Sequence, residues 1–247
     1  MKLSVALFFA GFFGAVGAVF FLLAFGTDYW LLASETCSAA GKRNDTPNTE
    51  PTERGDGMIS SKEFHTTFHH EGFFWRCKFS GMFSEDDIWK FWFTNQPSSK
   101  VCMHAYLMPF PVSQQTHNAT SYENAIIYRG FWSVFMLIGV TSIVLAGFFI
   151  ICGAPFSSHK LYKAGGGLFL AAGIFFATVV VMYVIWVQVL DGLTVYIKHQ
   201  KESLCEDFQI IVRYGWSFMV APIGIFFSLL AGLLFLLIGR TVQLHST

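Results

Sequence analysis

The residues of this sequence that could take part in chemistry cluster between positions 27 and 129. Two of them are asparagines in glycosylation sequons, Asn44 in Asn44-Asp45-Thr46 and Asn118 in Asn118-Ala119-Thr120. Such sequons are modified on surface segments of proteins that enter the secretory pathway. We therefore expect this stretch to face the outside of the cell and to carry glycans at Asn44 and Asn118.

The same stretch contains the tripeptide Arg54-Gly55-Asp56, which resembles the integrin-binding motif of matrix proteins. In that binding mode the aspartate carboxylate ligates a divalent cation on the integrin, because hard cations prefer oxygen ligands. The arginine meets acidic groups, and the glycine lets a turn present both side chains. Residues 39–61 are rich in Gly, Thr, Asn, Pro and charge and contain no aromatic residue, so we expect an exposed, mobile loop. The alternative is a chance match of three common residues.

The cysteines point to an oxidising compartment. Four of the five lie in the polar parts of the chain, namely Cys37, Cys77, Cys102 and Cys205. Disulfides persist outside the cytosol, and four cysteines allow three pairings. The fifth, Cys152, ends an apolar run and is a candidate for reversible palmitoylation; a small buried apolar residue is the alternative.

Three histidines lie close together at positions 65, 69 and 70, followed by Glu71. Histidines four residues apart would meet on a helix and could bind zinc. The intervening Thr66-Thr67-Phe68 favours a strand instead. We expect no metal site and no cofactor.

Four uncharged apolar runs must position these polar residues. They cover residues 3–26, 130–156, 164–190 and 214–239. About 20 apolar residues are enough for a helix to cross the hydrocarbon core of a bilayer, so each run predicts a transmembrane helix. The polar segments are then two loops on one side, residues 27–129 and 191–213. Residues 1–2, 157–163 and 240–247 lie on the other side.

The charges orient this arrangement. The two termini and the segment 157–163 carry Lys2, Lys160, Lys163 and Arg240 and no acidic residue, which is typical of the cytosolic side. We therefore predict a plasma-membrane protein in which both termini are cytosolic. The net charge is zero, so no nucleic-acid partner is expected.

Catalysis is not indicated either. The sequence has no nucleophile elbow, no glycine-rich phosphate loop and no acidic residue inside a span. We predict a non-enzymatic protein without a small-molecule substrate, whose partners are the lipid bilayer and other membrane proteins.

The order of several residues resembles the signature of the claudin superfamily, which has Trp, then Gly-Leu-Trp, then two cysteines. The matching residues are Trp30, Gly72, Phe73, Phe74, Trp75, Cys77 and Cys102. Phe73 replaces the leucine, Phe74 stands where the tryptophan is expected, and Trp75 is displaced by one. The loop before Gly72 and the gap between the two cysteines are also longer than in a typical claudin.

This resemblance implies a left-handed four-helix bundle that carries a small extracellular antiparallel β-sheet with strands from both loops. It also implies that Cys77 pairs with Cys102, which leaves Cys37 to pair with Cys205. The aromatic-rich sequence as a whole is most similar to a claudin-like member associated with muscle.

Two functions follow as hypotheses. The first is a membrane glycoprotein that binds other surface proteins, with an integrin as candidate, and that modulates adhesion and muscle-cell differentiation or fusion. The second, also implied by the resemblance, is a paracellular barrier or channel former, or an auxiliary subunit of an ion channel. The final residue, Thr247, argues against a typical claudin, because claudins commonly end in a hydrophobic residue that scaffold domains capture.

Overall fold

The computed structural model describes residues 3–38, 64–80, 100–105, 119–156, 158–188, 192–203 and 205–246. Within these ranges, four long helices pack side by side and five short strands form one sheet at one end of them. The chain enters the sheet directly after the first long helix and leaves it directly before the last one. The outer ends of these two helices therefore lie at the end of the bundle opposite the sheet.

The long helices are α1 (Leu3–Gly26), α2 (Ala119–Phe156), α3 (His159–Gln188) and α5 (Trp216–Ser246); a shorter helix, α4 (Gly192–Ser203), lies between α3 and the last strand. Each of the four long helices is long and apolar enough to cross a membrane. The four predicted spans therefore correspond to four helices.

Small residues bring these helices together. On α5, a side chain at Gly224 would touch Phe21 of α1, and one at Gly232 would lie 2.9 Å from the carbonyl oxygen of Gly166 in α3. Between them, the Ser228 hydroxyl donates a hydrogen bond to the Phe169 carbonyl oxygen at 2.9 Å. Helix α5 thus packs on both α1 and α3, as small residues in membrane helices permit.

The strands are β1 (Leu31–Ser38), β2 (Phe64–Glu71), β3 (Trp75–Ser80), β4 (Val101–His104) and β5 (Gln209–Tyr214). Their order in the sheet is β4-β3-β2-β1-β5, and all neighbours are antiparallel. Strand β5 comes from the second polar segment, so the sheet draws strands from both loops, as the resemblance implies.

Several helices extend beyond the apolar runs. Helix α2 begins at Ala119, eleven residues before the apolar run that starts at Gly130. Helix α3 begins at His159, within a segment expected to be a loop. Apolarity determines where a helix can be in lipid, but a helix can continue into water where its backbone hydrogen bonds are still made.

Candidate functional site

The sheet joins the bundle through two aromatic residues of the family motif. Trp30 is fully buried, and its indole N–H donates to the Ala24 carbonyl oxygen at 2.5 Å. The Phe73 ring lies edge-on to Trp30 with 4.5 Å between the ring centres, and it also contacts Phe25 of α1 and Trp132 of α2. These two residues therefore form the centre of the contact between sheet and bundle.

Gly72 makes this contact possible. Its backbone turns the chain from β2 into β3, and its N–H donates to the Trp75 carbonyl oxygen at 2.9 Å. A Cβ atom at this position would lie 2.6 Å from the Cα of Asp28, which is too close for any real side chain. A residue with a side chain would push the β2–β3 turn away from α1 and withdraw Phe73 from the bundle.

The next two motif residues behave differently. Phe74 and Trp75 are 45% and 42% exposed, respectively. The Phe74 carbonyl oxygen accepts a hydrogen bond from Ala105, and the Trp75 ring stacks on His104 with 4.4 Å between ring centres. Of the three consecutive aromatic residues of the motif, Phe73 therefore lies inside the bundle, and Phe74 and Trp75 lie on the surface beside it.

One face of the sheet holds a buried cluster of charges. Glu35 on β1 lies 3.0 Å from Nε2 of His69 on β2 and 3.9 Å from the guanidinium group of Arg76 on β3. Arg76 also lies 3.9 Å from Glu71. The register places these four side chains on the same face, because residues directly opposite each other in antiparallel strands point the same way.

Helix α4 completes this cluster. The Tyr196 hydroxyl donates to Glu35 at 2.6 Å and accepts from the guanidinium group of Arg76 at 2.9 Å. The same guanidinium lies 5.1 Å from the centre of the Tyr196 ring. Tyr196 therefore attaches the second loop to the centre of the sheet through hydrogen bonds to charged groups, which are stronger than neutral ones.

The cluster shifts the pKa values of its members. Burial alone would raise the pKa of Glu35, but the contacts with His69, Tyr196 and Arg76 outweigh it and hold that pKa below its ordinary value. Burial lowers the pKa of His69, although Glu35 opposes this effect. Glu35 therefore stays ionised and His69 stays neutral at neutral pH.

The neighbouring His70 points to the opposite face of the sheet. Its Nδ1–H donates to the Asp28 carbonyl oxygen at 2.8 Å, and its ring stacks on Tyr29 with 4.4 Å between ring centres. His69 and His70 are thus separated by the sheet, as expected for consecutive residues of a strand. Within the described ranges, no three side chains of His, Cys, Asp or Glu are grouped so as to hold a metal ion.

Two disulfides connect the strands and loops. Cys77 on β3 bonds to Cys102, directly opposite on β4, with 4.0 Å between their Cα atoms. Cys37 near the end of β1 bonds to Cys205 after α4 with 6.2 Å between Cα atoms. These are the two pairs that the resemblance implies. Cys152 has no disulfide partner and is half-buried in α2.

The charge cluster is not predictable from the sequence. The local signal is limited to polar residues on two neighbouring strands, His69 and Glu71 on β2 and Arg76 on β3, because the partners Glu35 and Tyr196 are 161 residues apart. The remaining predicted site residues fall outside the described residues: the glycosylation candidates Asn44 and Asn118, and the tripeptide Arg54-Gly55-Asp56.

Four membrane-spanning helices with a five-stranded sheet attached through a Trp and Gly-aromatic motif define a four-span membrane protein of claudin type. A family model described as PMP-22/EMP/MP20/Claudin tight junction matches residues 15–237, and this chain belongs to that family. It is a multi-pass membrane protein, and this family points to a protein without enzymatic activity.

Individual relatives extend the similarity to the whole chain. Transmembrane protein 182 of Danio rerio is 56% identical over 249 residues, covering 98% of each chain. Transmembrane protein 182 of Gallus gallus is 57% identical over 248 residues and that of Homo sapiens 54% identical over 247 residues. The alignment with the chicken protein covers 100% of both chains. The alignment with the human protein covers 99% of this chain and 100% of the human protein.

Proposed function

We propose that this protein is a non-catalytic glycoprotein of the plasma membrane, with both termini cytosolic, that binds other surface proteins, either laterally or through its two loops. An integrin is the candidate partner, and the expected effect is on adhesion and on muscle-cell differentiation or fusion. The observation that carries this proposal is the tripeptide Arg54-Gly55-Asp56. The link to muscle rests on the resemblance of the sequence to a claudin-like member associated with muscle.

The position of the tripeptide in the chain supports the proposal. It lies in the segment 39–63, between the paired strand ends Ser38 and Phe64. Ser38 and Phe64 pair directly with each other, so the two ends of this segment are held side by side at the end of the β1–β2 ladder. Strand β1 has eight residues, which places Ser38 about 23 Å along the strand from Leu31 at the bundle.

A surface-crosslinking pull-down from muscle cells tests this function. Wild type is compared with Asp56→Ala, which removes the carboxylate, and with Asp56→Glu, which keeps the charge but moves it by one methylene. Glu50→Ala is the matched control, because it removes one acid from the same segment. If Asp56 ligates a cation on an integrin, both Asp56 variants and EDTA abolish recovery of the integrin, and Glu50→Ala retains it.

If the Asp56→Ala variant recovers as much integrin as wild type, the tripeptide does not take part in binding. Failure of correctly displayed wild type to recover any integrin would reject the integrin as partner. Surface biotinylation of every variant shows whether it reaches the membrane.

The description of the family as claudin tight junction favours a second candidate, a paracellular barrier or channel former. An auxiliary subunit of an ion channel would share the same fold. Expression in an epithelial monolayer distinguishes the barrier function: polymerised strands at cell contacts and altered transepithelial conductance would favour it. A change in the gating of a co-expressed channel, without such strands, would favour the auxiliary subunit.

A further inference from the structure

Two large aromatic side chains are exposed where the sheet approaches the bundle. Phe74 and Trp75 follow the turn that inserts Phe73 between the helices, and each is more than two-fifths exposed. Exposed aromatic residues in water carry a cost, because each ring has a large apolar area to bury. Their depth relative to the helices decides which environment they meet.

The contacts of Phe73 give that depth. Its ring lies 5.2 Å from the Trp132 ring and 5.8 Å from the Tyr183 ring, measured between centres. Trp132 is six residues inside the span that begins at Ile126, and Tyr183 is five residues inside the end of α3. At 1.5 Å per residue, Phe73 lies about 8 to 9 Å below the start of this span and the end of α3.

The lengths of the spans convert this depth into a position in the bilayer. The span from Ile126 to Phe156 has 31 residues and a length of about 46 Å, whereas the hydrocarbon core is about 30 Å thick. If such a span is centred, its outer 8 Å lie in the headgroup region. Phe73 is therefore at the boundary between headgroups and hydrocarbon, and Phe74 and Trp75 follow it on the outside of the bundle.

Charged groups mark the same boundary. The Asp28 carboxylate accepts a hydrogen bond from the Trp75 backbone N–H. On α2, Arg129 lies three residues before Trp132, which is about one helical turn. On the other side of Trp132 the exposed face of α2 is apolar, with Val134 and Leu137. Aromatic residues are favoured at this level of a membrane, between charges and lipid tails.

We propose that Phe74 and Trp75 form an interfacial anchor that inserts into the leaflet nearest the sheet. The occupant of this surface is lipid, because the anchor lies level with the ends of the spans, where the exposed side chains of α2 are apolar. Phe73 fixes the turn to the bundle from the inside, and Phe74 and Trp75 fix it to the bilayer from the outside. The anchor thereby sets the angle of the sheet relative to the membrane, independently of the partner proposed for residues 54–56.

Site-directed spin labelling tests the anchor in phosphatidylcholine nanodiscs. The full chain with Cys152→Ser receives one new cysteine, at Phe74→Cys or Trp75→Cys, and a nitroxide label. Accessibility to oxygen, which concentrates in hydrocarbon, is compared with accessibility to a water-soluble nickel complex. Val101→Cys on β4 is the matched control, since Val101 is 55% exposed on the neighbouring strand, and Phe131→Cys on α2 is the lipid reference.

We expect the oxygen-to-nickel ratio at position 74 to exceed that at position 101 several-fold and to approach that at position 131. The second variant, at position 75, covers the case in which Phe74→Cys does not fold. Non-reducing peptide mapping confirms that both native disulfides remain.

Equal ratios at positions 74 and 101 would overturn the anchor, because the label would then be in water. Protection from both reagents, with spin–spin broadening that depends on the number of copies per disc, would also overturn it. A second copy of the chain, and not lipid, would then cover these residues.

Discussion

His70 shows how much one side chain contributes at the junction of sheet and bundle. It is 1% exposed, its Nδ1–H donates to Asp28, and its ring stacks on Tyr29. Burial lowers its pKa from the ordinary value of 6.5 to about 4, and the hydrogen bond to Asp28 opposes that shift only in part. The folded protein therefore keeps the His70 side chain in its neutral form.

This pKa gives a pH dependence with a definite sign. Between pH 6.5 and about 4, the unfolded chain binds a proton at His70 that the folded chain excludes. The free energy of unfolding therefore falls as the pH falls through this window, by up to about 3 kcal/mol for a shift of this size. Thermal unfolding of the purified protein in detergent, followed from pH 7.5 to pH 4, should show a falling Tm.

His70→Asn separates His70 from the other titrating groups. The asparagine amide can replace Nδ1–H as donor to Asp28, but it does not titrate. We expect the variant to have a lower Tm than wild type at pH 7.5, because the stacking on Tyr29 is lost, and a smaller decrease on acidification. If acidification lowers the Tm of wild type and of His70→Asn by the same amount, His70 does not control stability at acidic pH.

At the scale of elements, helix α4 depends on contacts made by very few of its residues. It has 12 residues, and isolated helices of this length are marginal in water. Tyr196 connects it to Glu35 and Arg76, and the disulfide at Cys205 holds the chain that follows it. The position of α4 on the sheet therefore depends on the charge cluster.

Tyr196→Phe tests this dependence. The substitution keeps the ring but removes the hydroxyl, so Arg76 loses an acceptor and Glu35 loses a donor in a buried site. Leaving such groups unsatisfied costs about 1–3 kcal/mol each. We expect the backbone amides of residues 192–203 to exchange with deuterium at least ten-fold faster than in wild type, while those of β2 change little.

Lys198→Ala is the control on the same helix, because Lys198 is exposed. Its amides should exchange at close to the wild-type rate. Exchange in Tyr196→Phe no faster than in Lys198→Ala would show that the hydroxyl of Tyr196 does not hold α4 in place.

The elements differ in how far the sequence predicts them. The four spans follow from long uncharged runs, since lipid permits few other structures for them. Helix α4 was missed, because its few apolar residues give a weak periodic pattern and its partners are far away in the chain.

The motif residues show the same limit more locally. Phe73 and Phe74 are the same residue type and adjacent in sequence, yet one is buried among helices and the other is exposed. Only the position of the turn at Gly72, which is set by its approach to Asp28, decides which ring enters the bundle. A composition rich in aromatic residues predicts a core but not which of them form it.

At the scale of the molecule, four spans and a sheet at one end give a testable topology. The outer ends of α1 and α5 lie at the end of the bundle opposite the sheet, and the basic residues near that end favour the cytosol for it. An epitope tag inserted between Pro51 and Thr52 should bind antibody on intact cells, whereas a tag after Thr247 should bind only after permeabilisation. The reverse pattern would invert the proposed topology and remove the tripeptide from any extracellular partner.

The strand order has a consequence for biosynthesis. Strand β5 is the last strand to be made, yet it pairs with β1, the first, and the chain then enters α5, which packs on α1. During translation, one edge of β1 therefore stays unpaired until about residue 214 has crossed the membrane. Quality control in the secretory pathway could recognise this open edge, so that chains truncated before β5 are retained while complete chains proceed to the surface.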